Sequence, residues 1–158
     1  MKYTLLLLLW FTTLGVRHPN IMYAGSSSCI EVVDIKPSTH TVLVELTKLI
    51  NSECWSEGFL GKREVLGVIM SRVLHKKFPN SILGVIYDKG QFDGVGTKYF
   101  IYTEETYKLV KQWYLEKYVS KYLFFYNPCS STDTRFIRWV YKKYPNTFFI
   151  DNHLFHGE

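Results

Sequence analysis

A pair of helical patterns in residues 39–78 places the strongest constraint on the fold. Apolar residues in 39–54 recur at spacings of one and three, as they do on one face of a helix. The same spacing returns in residues 61–78 and stops at Pro79, because proline disfavours helical backbone in the residue before it. We therefore predict two helices in this part of the chain.

Three further segments have helical patterns. Residues 81–87 form a short apolar stretch typical of a helical turn. Thr103 is suited to begin a helix that reaches about residue 121, since a threonine hydroxyl accepts hydrogen bonds from N-terminal backbone N–H groups. Residues 134–144 form another helical pattern, which Pro145 ends. Four or five helices are expected in total.

The predicted β-structure is minor. Glycines on both sides of Gln91 and Phe92 favour a small β-hairpin in residues 88–96. Residues 122–126 are aromatic and indicate a strand or a loop, and residues 147–150 have a strand-like composition. The fold class predicted from these patterns is α+β, mainly helical, with a small β-hairpin or sheet.

The composition agrees with one folded domain. The chain has 158 residues, of which 47% are hydrophobic and 21% are charged, values close to the globular average. They argue against a disordered chain, a collagen-like repeat and a polytopic membrane protein. Residues 25–38 are polar and are interpreted as a linker, so that the domain comprises residues 39–158.

Residues 1–24 are interpreted as a signal peptide. A basic N-terminus precedes an uncharged run in residues 4–16, which includes five consecutive leucines. Thirteen residues of helix span about 20 Å, whereas a bilayer core is roughly 30 Å thick. Ala24 and Gly25 suit the cleavage site, while Met22 leaves an uncleaved anchor as the alternative. We expect a secreted or periplasmic protein, without a stable membrane span after cleavage.

The cysteines do not indicate a metal site. Cys29, Cys54 and Cys129 are an odd number, and neither they nor the histidines have the spacing of zinc ligands. A disulfide from Cys29 to either partner is open at this point, and Cys54 is expected to be a buried small hydrophobic residue. We predict no metal and no cofactor.

Two glutamates stand where chemistry is expected. Glu53 ends an apolar helix just before Trp55, so that partial desolvation would raise its pKa and suit it to act as a general acid. Glu57 follows four residues later. If the helix continued, the two carboxyl groups would share a face at about 6 Å. If the helix ends at Cys54, no such pair forms, and a solvated helix end is the alternative interpretation.

This region resembles a known family. Residues 50–58, Ile-Asn-Ser-Glu-Cys-Trp-Ser-Glu-Gly, are similar to the Glu-Ala-x-Gly-Glu core of the SleB-type spore cortex-lytic cell wall hydrolases. The resemblance covers about residues 40–156 and depends on an ordered series of short motifs. Those motifs lie in residues 67–73, 78–82, 85–87, 90–92, 125–127 and 152–155.

The resemblance implies a lysozyme-like domain that acts on peptidoglycan, with Glu53 at the position of the catalytic acid. Members cleave the β-1,4 bond between N-acetylmuramic acid and N-acetylglucosamine, commonly as lytic transglycosylases that leave a 1,6-anhydro end. One carboxyl group suffices for that reaction. It protonates the glycosidic oxygen and then, as a carboxylate, accepts the proton of the sugar's 6-hydroxyl group.

Other residues receive substrate-binding roles from the same resemblance. Glu57 would orient the substrate or stabilise positive charge, and Gln91 would hydrogen-bond the sugar. Rings for stacking would come from Trp55, Tyr87 and Phe92. His153 is interpreted either as a groove residue or as a structural hydrogen-bonding residue.

Several positions depart from the family pattern or allow two interpretations. The usual Ala-Arg-Gly is replaced by residues 54–56, Ser71 stands where asparagine is common, and Asp151 replaces a glycine. Arg72 lies in an apolar helix and indicates either an internal ion pair or a substrate contact. Asp93 is either a turn residue or a second carboxylate that activates water.

Two competing functions belong to other classes. One is a non-catalytic cell-wall-binding protein of the same fold. The other is a nucleic-acid-binding module, which the export signal argues against. Removing residues 1–24 takes away Lys2 and Arg17, so 19 basic residues become 17 against 14 acidic ones and the net charge falls from +5 to +3. So small a charge is not typical of a nucleic-acid-binding protein, and we expect no nucleic acid as a partner. The resemblance implies peptidoglycan glycan strands as the partner and a cell wall location, and we expect a monomer.

Overall fold

The computed structural model describes residues 37–158, which form five helices and a three-stranded sheet. The predicted signal peptide and all but the last two residues of the predicted linker lie outside the described residues. In chain order the elements are α1 (Thr39–Glu53), α2 (Phe59–Leu74), α3 (Ile82–Tyr87), α4 (Glu104–Glu116), β1 (Tyr122–Tyr126), α5 (Thr134–Lys143), β2 (Asn146–Ile150) and β3 (His153–Gly157). The prediction of a mainly helical α+β domain is confirmed.

The first two helices form the centre of the core. Ser38 caps α1, since its hydroxyl oxygen accepts a hydrogen bond from the Thr41 N–H at 3.1 Å. Leu46 and Leu49 on the inner face of α1 are fully buried. Helix α2 packs between α1 and the sheet and is buried along most of its length, with Val65 and Ile69 completely covered. Burial on more than one side makes α2 the axis around which the domain is built.

The sheet is antiparallel, with β3 between β1 and β2. Phe155 of β3 lies opposite Phe125 of β1 and Phe148 of β2 in the ladder. Residues directly opposite one another project from the same face of a sheet. Because Phe155 is fully buried in the main core, this face is the one directed toward the helices. A second, smaller core lies beneath α5.

Part of the predicted β-structure is wrong in position. No strand forms between residues 88 and 96, which belong to a turn-rich loop over residues 88–102. Gly90 and Gly96 have positive φ angles of 76°, and these turns allow Phe92 to be buried without a partner strand. The residues of β3 were not predicted as a strand, since its pattern contains two histidines and is only five residues long.

Two predicted helices are shorter than expected. Helix α2 ends at Leu74, before Phe78, because His75 has extended backbone. Helix α4 ends at Glu116, because Lys117 has a left-handed φ of 53°. None of the helices within residues 37–158 is long and apolar enough to cross a membrane.

Candidate active site

Glu53 is the last residue of α1, and its side chain is largely buried. One carboxylate oxygen, Oε1, accepts a hydrogen bond of 2.6 Å from the backbone N–H of Gly94. Desolvation raises the pKa of Glu53, and the nearby negative charge of Asp93 raises it further. The Gly94 hydrogen bond and the positive charge of Arg72 act in the opposite direction, but the net shift is upward. A carboxyl group with a raised pKa can hold a proton at the pH where a general acid works.

The loop that reaches Glu53 depends on a glycine. A Cβ atom at position 94 would lie 2.7 Å from Glu53 Oε1 and would also meet the side chain of Ser52. Only glycine therefore allows the backbone N–H to approach the carboxylate so closely. Sequence reasoning assigned no role to Gly94. The two glycines that follow Asp93 indicate a loop in the sequence, but they do not indicate that this loop contacts Glu53.

Asn51 holds the far end of the same loop. Its Nδ2 donates hydrogen bonds to the Ile101 carbonyl oxygen at 2.8 Å and to Thr103 Oγ1 at 3.0 Å. Its Oδ1 accepts a hydrogen bond of 2.6 Å from the Thr106 hydroxyl group. Asn51 is buried two residues before Glu53, so α1 contacts the loop at two points. Sequence reasoning missed this residue, although a polar amide on the apolar side of a helix was visible.

Arg72 is buried near Glu53 without the predicted ion pair. Its Nε donates a hydrogen bond of 2.9 Å to the Leu123 carbonyl oxygen. Its guanidinium lies 5.1 Å from the ring centre of Phe92 and 5.6 Å from that of Phe124. Across residues 37–158, no carboxylate comes within 4.0 Å of it. Burial lowers the pKa of Arg72 to about 10, while the charges of Glu53 and Asp88 oppose that shift.

Glu57 does not share a helix face with Glu53, because α1 ends at Glu53. Its carboxylate is buried and accepts two hydrogen bonds of 3.0 Å from Asn152, one from the backbone N–H and one from Nδ2. His153 Nδ1 lies 3.5 Å from the same carboxylate. The oxygens that were expected to face a substrate are therefore turned toward the β2–β3 turn.

Asp151 joins the same turn to α2. Its φ of 51° is left-handed, a backbone conformation that favours glycine and that aspartate tolerates better than most residues. Its carboxylate accepts a hydrogen bond of 2.9 Å from the N–H of Gly58, the residue that precedes α2. A Cβ at Gly61 would lie 2.6 Å from the same carboxylate. We call the contacts of Glu57 and Gly58 with residues 151–152 the turn latch.

The remaining predicted site residues divide into two groups. Phe92 and His153 are buried beside the ring of Phe125, with ring centres 6.3 and 5.2 Å away. Burial lowers the pKa of His153, although the charges of Glu57 and Asp151 oppose the shift. By contrast, Trp55 is 68% exposed and Tyr87 is 54% exposed, and Gln91 is half-buried.

Tyr87 also contacts α1, since its hydroxyl group donates a hydrogen bond to the Glu45 carboxylate. Desolvation and that carboxylate raise the pKa of Tyr87 to about 12.

Cys54, next to Glu53, is buried as expected, and burial raises the pKa of its thiol. This thiol is therefore packed as a small apolar group.

Two solved structures have the same architecture. The catalytic domain of the Bacillus cereus SleB protein is 25% identical in sequence, with a TM-score of 0.57, and the alignment covers 73% of this chain and 88% of that one. The catalytic domain of the germination-specific lytic transglycosylase SleB from Bacillus anthracis is 24% identical, with a TM-score of 0.59, over 76% of this chain and 96% of that one. The fold is therefore that of a SleB-type catalytic domain.

Residues 56–156 match the family described as Cell Wall Hydrolase. The chain belongs to that family and is an enzyme of peptidoglycan cleavage. The matched range begins three residues after Glu53, so the family match does not include the candidate acid itself. No curated protein is significantly similar to the chain in sequence.

Proposed function

We propose that the protein is an exported lytic transglycosylase that cleaves the β-1,4 bond between N-acetylmuramic acid and N-acetylglucosamine. The observation that carries the proposal is the half-buried carboxyl group of Glu53, which accepts a hydrogen bond of 2.6 Å from the Gly94 N–H and has a raised pKa. The similarity to a domain named as a lytic transglycosylase supports this reaction over simple hydrolysis. Glu53 is proposed as the single acid and base.

The reaction needs one proton to move twice. Glu53, protonated, donates its proton to the glycosidic oxygen as the bond from that oxygen to C1 of N-acetylmuramic acid breaks. The resulting carboxylate then accepts the proton of the 6-hydroxyl group as O6 forms its bond to C1. The products are a 1,6-anhydro end and a free 4-hydroxyl group on the departing N-acetylglucosamine, and Glu53 returns to its protonated form.

The surroundings of Glu53 favour each of its two states in turn. Burial and the negative charge of Asp93 favour the protonated form that begins the reaction. The Gly94 N–H and the charge of Arg72 favour the carboxylate that forms when the proton is transferred. When contributions to a pKa oppose one another in this way, both the protonated and the ionised form of the group stay accessible during the reaction.

Substrate contacts are proposed for the exposed members of the predicted set. Trp55 and Tyr87 offer ring faces to sugars, and Gln91 offers an amide for their hydroxyl or acetyl groups. Glu57, Phe92 and His153 are buried, so we reassign them from substrate contact to positioning of the segments beside Glu53. The turn latch would hold the Trp55 segment, which lies between Glu53 and Glu57.

Export is part of the proposal because peptidoglycan lies outside the cytoplasmic membrane. Residues 1–24 have the charge and apolar pattern of a signal peptide, and residues 25–38 are proposed to link it to the catalytic domain in residues 39–158. The enzyme would then act as a monomer in the cell wall, whether secreted or periplasmic.

The test is to incubate the purified protein with peptidoglycan sacculi and to identify the released muropeptides by mass spectrometry. The proposal expects 1,6-anhydro-muropeptides, and their loss in Glu53→Gln, which keeps the size and the acceptor oxygen of the side chain but cannot donate an acidic proton. Glu105→Gln, an exposed change on α4, is the matched control and should retain activity. Binding to sacculi without any release by a folded protein would instead identify a non-catalytic cell-wall-binding protein.

A further inference from the structure

Outside the Glu53 site, an open cavity of about 350 Å³ lies toward the end of the sheet where β1 and β2 begin and β3 ends. It is lined chiefly by Glu64, Tyr118, Lys121, Tyr122 and Phe148. A smaller cavity of about 190 Å³ adjoins it and shares Lys121 and Tyr122. We call the two together the edge trough. Its volume is within the range of small-ligand sites, and its lining residues are different from those around Glu53.

The position of Phe148 explains why the edge trough is open. Phe148 lies opposite Phe155, so its side chain projects from the helix-facing side of the sheet. Helix α2, however, packs on β1, at the other edge of the sheet. The ring of Phe148 is therefore 50% exposed, and it stacks nearly parallel to Tyr122, with ring centres 6.2 Å apart and planes at 4°. A rigid aromatic face is held at the trough.

An acidic and a basic side chain flank the ring of Phe148. Glu64 projects from α2 and is buried, and its carboxylate accepts a hydrogen bond of 2.7 Å from the Tyr118 hydroxyl group and another from the Ser120 hydroxyl group. A carboxylate has about four acceptor positions, so these two bonds leave capacity for further donors. Lys121 is exposed, with Nζ 5.3 Å from the ring centre of Tyr122.

We propose that the edge trough is a second glycan-binding site, which takes an N-acetylated amino sugar of the peptidoglycan strand. The inference rests on the proposed function, which supplies the polymer. A pyranose ring has an apolar C–H face and a polar rim, and the trough matches both. Phe148 stacks on the face, Glu64 accepts from a hydroxyl group, and Lys121 donates to an acetyl carbonyl oxygen or a carboxylate.

A second site on the same polymer changes how the enzyme uses its substrate. When one part of a strand is bound in the edge trough, the rest is held at a high effective concentration near Glu53. The consequence concerns long, insoluble strands and not short fragments. We therefore expect the edge trough to lower the KM for sacculi and to have no effect on the cleavage of soluble fragments that can occupy one site only.

The test measures binding of the full chain carrying Glu53→Gln to sacculi, with and without Phe148→Thr. Phe149→Thr is the matched control, since Phe149 is the next residue of β2, is 56% exposed and projects from the opposite face of the strand. Threonine keeps the strand propensity in both variants. Phe148→Thr should weaken binding by between about twofold and tenfold, as expected for the loss of one aromatic contact. Phe149→Thr should not weaken it.

N-acetylglucosamine oligomers serve as soluble probes in the same experiment. They should shift the NMR signals of residues around Phe148 in the Glu53→Gln protein, and Lys121→Gln should reduce that binding while Lys117→Gln does not. Equal binding to sacculi by Phe148→Thr, Phe149→Thr and the parent would overturn the inference, provided that all three have the same circular dichroism spectrum and melting temperature.

The two proposals fail in different ways. If sacculi are never cleaved but Phe148→Thr still weakens binding, the proposed function fails and the edge trough stands. If anhydro-muropeptides are released and Phe148→Thr, with Glu53 intact, has the parent KM for sacculi, the proposed function stands and the edge trough is refuted. Cleavage of soluble fragments should be unchanged in Phe148→Thr, and a fall there equal to that on sacculi would also count against the second site.

Discussion

Two glutamates four residues apart have opposite environments. The carboxylate of Glu53 accepts one protein hydrogen bond, from Gly94, and has a raised pKa. The carboxylate of Glu57 accepts two from Asn152 and faces His153. Within residues 37–158, Glu53 Oε2 accepts no hydrogen bond, whereas both carboxylate oxygens of Glu57 accept one and Glu57 is the more deeply buried of the two. The proposed mechanism therefore assigns the acid to Glu53, whose carboxylate is the less covered by the fold.

The largest effect is expected at Glu53. Glu53→Gln should lower the rate of muropeptide release by about 10²- to 10⁴-fold, the usual contribution of a general acid or base. The folded protein should not lose stability at neutral pH. A raised folded-state pKa means that ionising Glu53 costs folding free energy as the pH rises through that pKa, and glutamine has no such cost.

The measurements are muropeptide release by mass spectrometry and thermal unfolding of both proteins at pH 7. Wild-type activity in Glu53→Gln would end the assignment of Glu53 as the acid. A large fall in melting temperature would mean instead that the residue is needed for folding.

The next effect is expected at the glycine that contacts Glu53. Gly94→Ala would place a Cβ atom 2.7 Å from Glu53 Oε1, so the loop must shift. Displacement of about 1 Å near a catalytic group can lower a rate by about 10²-fold, and we expect a loss of that order in kcat. Gly96→Ala, in the same loop, is the control. It has nothing within 4 Å of its Cβ, so it should strain the backbone locally and leave kcat close to the parent value.

At Glu57 the expected loss is in stability. Glu57→Ala would remove both hydrogen bonds that the buried Glu57 carboxylate accepts from Asn152, which should lower the free energy of unfolding by about 1–3 kcal/mol. Urea unfolding monitored by circular dichroism measures this. The kcat of the protein that remains folded should fall far less than in Glu53→Gln. A fall of the same size in both, with no change in stability, would show that Glu57 takes part in the chemistry.

The smallest effect is expected at Asp93. Its negative charge raises the pKa of Glu53, so Asp93→Asn should lower that pKa. In the proposed mechanism the protonated form of Glu53 is the acid, and this form is lost as the pH rises through its pKa. The alkaline limb of the pH–rate profile should therefore move to lower pH, by a few tenths of a unit for a single exposed charge.

The matched control is Asp88→Asn, which removes the same charge five residues earlier in the loop and should move the limb less. A different result would identify Asp93 as a second carboxylate that activates water. In that case the parent protein would release products with reducing ends rather than 1,6-anhydro ends, and Asp93→Asn would release none.

Much of the fold could be predicted from local patterns. The bounds of α1 and α3 agree with prediction to within about one residue, because apolar periodicity is a local signal. The hairpin predicted around Phe92 was wrong, since local glycine turns do not say whether a strand has a partner. The hairpin that does form consists of β2 and β3, joined by residues 151 and 152, and β3 also pairs with β1, about thirty residues earlier in the chain.

The candidate site also contains residues that the sequence indicated and residues that it did not. Glu53 was found from its place at the end of an apolar helix, and its raised pKa was expected from partial burial. Gly94 and Asn51 were missed, because their roles depend on a loop about forty to fifty residues away from α1 in sequence. Of the two interpretations of Arg72, the internal ion pair does not form within residues 37–158, where aromatic rings and a backbone carbonyl contact its side chain.

The sequence by itself determined where most of the helices lie, the short motifs that carry the family resemblance and the choice of the candidate acid, since each of these depends on residues close together in the chain. Only the tertiary structure decided that, within residues 37–158, Glu53 Oε2 is left without a hydrogen bond whereas both carboxylate oxygens of Glu57 accept one. Both residues have the same chemistry, and the difference comes from what folds against them: a glycine loop beside one, and the β2–β3 turn beside the other. Hydrogen-bond partners distant in sequence leave no periodic local signal, so they become visible only when the chain is folded.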